Sequence, residues 1–195
     1  MLAEHIIYNA AIAIIVGMLF VRYFGRDTTW IIILVSWAPD LDLFAKGILN
    51  KIGITLLFYG QPIQHGTFHN IAAMVIFGII VAFLLAPFGL RFFDSMFFAM
   101  IGFGGHLFED ALVYLTDYRY FWPFSNKLMG LSWLPVGTPY KATFFHIANT
   151  EVLVIGLVLL SVAIMIRTRV EGHGWIRWYM PDKVYQRFFA KTSPS

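Results

Sequence analysis

Residues 70 to 90, NIAAMVIFGIIVAFLLAPFGL, cover a membrane thickness without one charged side chain. A span needs about 20 predominantly apolar residues. In hydrocarbon every backbone N–H and C=O must be bonded inside the protein, so an isolated run of this length is read as a transmembrane helix. The pattern recurs. Residues 5 to 24 form a first span, preceded by Glu4 and His5 and followed by Arg22 and Arg26. A secretory leader carries its Lys or Arg ahead of the apolar stretch, so this one is expected to be a retained helix. Residues 28 to 44 are apolar but short, and Pro39 disfavours helical geometry at Ala38, so a helix here should stop before PDLD. Residues 95 to 116 and 150 to 166 complete the set. Residues 52 to 60 are too short to span and read as a re-entrant or interfacial piece, and residues 117 to 149 as a Trp-, Tyr- and Pro-rich loop.

The expected fold is therefore all-α: a polytopic membrane bundle of about five transmembrane helices, one integral domain over residues 1–195. From Arg167 onward the chain is basic and aromatic, as expected of an amphipathic tail on an anionic membrane surface. Composition agrees, with 59% hydrophobic residues, 13% charged residues and a mean hydropathy of +0.71. Soluble domains carry about 25% charged residues. The net charge of +3 is too small to argue for a nucleic-acid partner.

Alternation of five spans places Arg22, Arg26, Arg91, Arg167, Arg169, Arg177, Lys183, Arg187 and Lys191 on one side. Lys46, Lys51, Arg119, Lys127 and Lys141 fall on the other. The positive-inside rule then sets the amino-terminus outside and the carboxy-terminus in the cytoplasm. On that topology five of six histidines gather at the outer side: His5, His65, His69, His106 and His146. Asp40, Asp42, Glu109, Asp110 and Glu151 join them, and His173 lies on the other face.

His106, Glu109 and Asp110 share one helix face inside an apolar segment. Asp near a helix centre costs about 2.5–3.5 kcal/mol in insertion, less towards the ends. A divalent cation among histidines offsets that cost; a hydrogen-bonded pair or proton relay is the rival explanation. Gly102, Gly104 and Gly105 permit close approach of a neighbouring helix. Asp42 could ligate or cap the next helix, and His65 with His69 could ligate or form a polar rim. His146 and Glu151 are weaker candidates. With no cysteine in the chain, thiolate ligands are excluded, and a His/Asp/Glu site suits zinc, manganese or iron.

Four stretches in order also resemble the membrane-bound metal-dependent hydrolases, a group that includes a LexA-regulated bacterial inner-membrane protein. AEHIIYNAA resembles their His-led first helix, APDLD their LPDID, QHGTFHN their HRGFTHS, and HLFEDAL followed by FWP their HLxxDxL and WP. That group is remotely similar to zinc-dependent phospholipases C. The resemblance implies ligand roles for His5, Asp40, Asp42, His69, His106 and Asp110. Gln64 stands where the group has His, His65 where it has Arg, Asn70 where it has Ser, and Leu43 where it often has His; either His65 takes over the ligand role or that ligand is lost.

The expected function is hydrolysis of a phosphoester, a phospholipid or lipid-linked phosphate, at the outer membrane surface. Asp40, Asp42 or Glu109 would serve as general base, and the outer cations would meet the phosphate. Two alternatives stand: a proton-coupled or ion transporter, and a non-catalytic protein with a structural metal site. By sequence the polar set is confined to one half of the membrane, with no polar path through spans one, three and five, which argues against transport.

Overall fold

The computed structural model describes residues 2–58, 60–113, 118–134 and 150–189. It is mostly helical, and four of its helical segments are long and apolar enough to cross a membrane: Ala3–Phe24, Ile71–Phe88, Phe92–Val113 and Glu151–Tyr179. The elements are α1 (Leu2–Phe24), α2 (Trp30–Val35), α3 (Leu41–Lys51), β1 (Leu57–Phe58), β2 (Gln61–Pro62), α4 (Ile71–Leu85), α5 (Phe92–Val113), α6 (Thr150–Glu171) and α7 (Asp182–Phe188). Short 3-10 turns follow α2, α4 and α6.

The expected second transmembrane helix is not one. Residues 28 to 44 fold as the six-residue α2, a 3-10 turn over Ala38–Asp40, and the start of α3. At 1.5 Å per residue α2 is about 9 Å long. The chain nevertheless returns towards the end from which α1 started, because Thr29 already lies deep against α1. Its Oγ1 is 3.0 Å from the Ala13 carbonyl, 2.6 Å from Asp27 Oδ1 and 2.7 Å from the Tyr179 hydroxyl. Buried Ile31, Ile32 and Val35 of α2 then pack in one core with Ala13 of α1 and Phe98, Ala99 and Phe103 of α5. A Cβ on Gly102 would collide with the Ile32 carbonyl, and one on Gly105 with the Asn9 side chain. These two glycines of GFGG let α5 approach both partners; Gly104 faces only Met74.

Of the expected re-entrant or interfacial piece, the described residues 52–58 stay outside the bundle, which leaves the interfacial alternative. They lead into the antiparallel β1–β2 pair, and Ile52, Ile54, Leu56, Leu57 and Phe58 are exposed. Helices α4 and α5 are antiparallel, with Gly78 against Met96 and Met100 and Gly104 against Met74. Helices α1 and α6 run parallel, since Gly156 meets Ile7 and Tyr8 while Arg167 meets Ile14.

Helix α6 continues past residue 166, and Arg167 is fully buried rather than lying in a surface tail. It pairs with Asp27 at 2.8 Å, and its Nε donates to Glu171 at 3.1 Å. Its Nη1 also donates to the Ile14 carbonyl and the Tyr179 hydroxyl. A second buried polar cluster thus occupies the half of the bundle that the sequence reading left apolar. Apolar Ala13, Ile31, Ile32, Phe98 and Phe103 separate it from the histidines. At that far end Arg26 also pairs with Asp94, tying the end of α1 to the start of α5.

Candidate metal centre

Four chain segments deliver the polar residues to one end of the bundle. His5 lies in the first turns of α1. Asp40 closes the 3-10 turn, and Asp42 follows in the first turn of α3. His65 and His69 precede α4, whose N-cap is Asn70: its side chain accepts from the Ala73 amide at 2.9 Å. Neither histidine caps the helix, and Asp42 does not cap α3. Instead Asp42 Oδ2 accepts the Gly66 amide at 2.8 Å and the Phe68 amide at 3.3 Å, binding the histidine segment to α3. His106, Glu109 and Asp110 face inward from α5, all buried.

Asp40 Oδ1 is the centre of the arrangement. It lies 3.8 Å from His65 Nδ1, 3.8 Å from His69 Nε2 and 3.9 Å from His106 Nε2. Asp110 Oδ2 is 3.1 Å from His69 Nε2 and 3.4 Å from His106 Nε2. Three overlapping triads result, His5–Asp40–His106, Asp40–His65–His69 and His69–His106–Asp110, each with its ligand atoms within 4.8 Å of one another. Two atoms each about 2 Å from one zinc ion can be no more than about 4 Å apart, and the five carboxylate–imidazole distances of Asp40 and Asp110 meet that limit.

The hydrogen bonds orient the rings for such a role. His106 Nδ1 donates to the Ser36 carbonyl at 2.8 Å, which leaves Nε2 with its lone pair towards Asp40 and Asp110. His5 Nδ1 bonds Glu109 Oε2 at 3.0 Å, and the His5 and His106 rings stack with centroids 3.6 Å apart. Buried yet without a hydrogen-bond partner are Asp40 Oδ1, both ring nitrogens of His69, and His106 Nε2. Buried polar atoms are ordinarily satisfied. Such a set, converging from three segments, fits a divalent cation in both chemistry and spacing.

Charges are shared tightly here. Burial opposes a charge on His69, but Asp110 and Asp42 outweigh it and raise its pKa to about 10. Burial likewise disfavours ionised Asp42, but the His65 and His69 imidazoles beside its carboxylate bring its pKa to about 2.

The chain matches the YdjM inner membrane protein family over residues 1–174. It belongs to that family. No curated protein and no solved structure matches it. The family description names a membrane location and no reaction.

In this YdjM-family chain the candidate residues His5, Asp40, Asp42, His65, His69, His106 and Asp110 come together, and Glu109 joins them through His5. Gln64 is exposed and outside the cluster, whereas the His65 side chain enters it while remaining 31% exposed. Of the cations expected on the histidine side, Arg119 lines a recess of about 50 Å³ with Gln64, His65 and Thr67. Lys46, Lys51 and Lys127 are exposed on the surface, as is Glu151. His146 and Lys141 lie outside the described residues.

The sequence reading missed Tyr118, Ser36 and Asn9. The Tyr118 ring stacks on His69 at 4.4 Å and its hydroxyl lies 3.2 Å from His65 Nε2. Asn9 Nδ2 donates to the His5 carbonyl. No spacing rule flags a loop tyrosine or a backbone carbonyl. Asn9, four residues after His5 inside an apolar helix, did carry a signal, since polar side chains are costly there.

Proposed function

We propose that the chain is a metal-dependent hydrolase acting on a phosphoester carried by a membrane lipid or lipid-linked substrate. The observation that carries this reading is Asp40 Oδ1, bare of hydrogen bonds and facing imidazole nitrogens of His65, His69 and His106. Asp40, His69, His106 and Asp110 would hold the cation, with His5 and His65 at opposite flanks. Zinc best suits this His/carboxylate set. When bound, a divalent cation supplies Lewis acidity towards water and a phosphoryl oxygen.

The protein's own groups divide the remaining work. Glu109 holds the His5 ring and is a positioning residue rather than the general base. Asp42 Oδ2 is occupied by two amides, so Asp42 fixes the loop. His65 is the partly exposed member; with Asp42 and Tyr118 beside its two nitrogens, it is placed to exchange a proton with a group entering from the recess. Arg119 in that recess would meet the phosphate. Water adds to phosphorus, the P–O bond to the alcohol breaks, and the departing oxygen takes a proton. We place this site at the outer membrane face, from the distribution of loop charges.

Transport is disfavoured by the apolar layer of Ala13, Ile31, Ile32, Phe98 and Phe103 between the two buried polar clusters. The test is metal analysis of protein purified without chelator, with a phosphoester screen on the same sample. One or more equivalents of metal, lost in His106→Ala with Asp110→Ala, and hydrolysis sensitive to chelator are expected. Metal-free protein with unaltered thermal stability would overturn the reading.

A further inference from the structure

Beside the metal centre, on the adjoining face of α5, lies an apolar groove of about 400 Å³. Its lining includes Ile71, Gly104, Leu107, Ala111, Tyr120 and Met129. Small-molecule sites usually occupy about 300–1,000 Å³ and include a few convergent polar groups. This one is walled almost wholly by hydrocarbon and aromatic surface. Gly104, Leu107 and Ala111 recur at helical spacing, one position removed from His106 and Asp110 on the same two turns. Ile71 is two residues from His69, and its amide donates to the Tyr120 carbonyl. Tyr118, two residues before Tyr120, stacks on His69. Groove and metal centre therefore share three walls: α5, the start of α4 and the 118–120 strap.

The groove's outer rim is formed by Phe108, Phe121, Met129 and Leu131, all exposed apolar side chains. A hydrocarbon chain can thus enter the groove laterally, past this apolar rim. Gly104 forms part of the groove wall, and a Cβ there would meet only Met74 Sδ, at 3.3 Å.

We infer that this groove seats the hydrocarbon chain of the substrate, which would be a phosphate ester of a long alkyl or prenyl alcohol. The inference rests on the hydrolase reading for the reaction, but its test does not depend on turnover. The intact, metal-loaded protein in nanodiscs is exposed to dodecyl phosphate bearing a diazirine near the chain end, and the adducts are mapped by mass spectrometry. Adducts should concentrate in residues 104–111 and 120–131, several-fold above the exposed face of α6 around Leu157 and Val158. Gly104→Leu and Ala111→Leu, each filling the groove from a different turn, should reduce that labelling several-fold while metal content stays unchanged. The same probe without its phosphate should show no preference for the groove.

Even labelling across α4, α5 and α6 would overturn the inference, as would groove labelling indifferent to both substitutions or to loss of the phosphate. Hydrolysis with even labelling removes the groove but keeps the reaction. Groove labelling without hydrolysis of any phosphoester upholds the seat and overturns the reaction.

Discussion

Gly66 offers the sharpest quantitative check, because backbone and site depend on it together. Its φ is +93°, and an added Cβ would meet the Tyr118 ring at 2.6 Å. Left-handed backbone costs a residue with a side chain about 1–2 kcal/mol. Overpacking a filled site costs about 1–3 kcal/mol more. Gly66→Ala should therefore destabilise the protein by about 2–5 kcal/mol. Gly60 provides the control: its φ is +75°, but nothing lies within 4 Å of its Cβ position. Gly60→Ala should show the backbone cost alone, about 1–2 kcal/mol. The difference between the variants measures displacement of Tyr118, which stacks on His69 and reaches His65. Chemical denaturation of both variants in one detergent gives the energies, and metal content of the same preparations gives the effect on the centre. Gly66→Ala alone should lose metal. Equal destabilisation in the two variants, with full metal in both, would refute the reasoning.

Removing one partner of a buried ion pair costs about 3–5 kcal/mol, so Asp27→Asn should lie in that range, measured by denaturation. It should fall towards the lower end because Arg167 keeps Glu171; a second change, Arg167→Met, should recover much of the loss. In metal-free protein the raised pKa of His69 means its stabilising proton is fully present below 6.5 and lost as pH rises through about 10. The thermal midpoint should fall across that window, a fall that bound metal suppresses; a flat profile in metal-free protein refutes it. A cysteine at Lys46 or Lys127 should react with an impermeant reagent on intact cells, and one at Lys183 only after lysis. The reverse pattern would invert the proposed orientation.

Much of the centre was legible because membrane segments carry so few polar residues. His106 and Asp110, four apart in an apolar run, announced a shared helix face, and the charge pattern brought His5, Asp40 and His69 to the same end. The second crossing was misread because apolar length alone does not separate a helix from a turn packed against one: α2 is stabilised by contacts with Ala13 and Phe103 that composition cannot reveal. The burial of Arg167 departs from the expected surface tail for a similar reason. A basic residue after an apolar run ordinarily meets water, and only the returning chain at Asp27 makes its burial tolerable. Tyr118 left no periodic trace.

The shortness of α2 bears on how the chain enters the bilayer. Six residues provide about 9 Å of helix, well short of the roughly 30 Å hydrocarbon core, so the segment after α1 cannot partition as an independent span. It must settle against neighbouring helices, one of which, meeting it at Gly102, is the later α5. Asp27 then waits for Arg167, delivered only when α6 is synthesised. Biogenesis of this bundle is therefore expected to close at its last span, and a chain released before α6 would present an unpaired acid to any quality-control protease scanning the membrane.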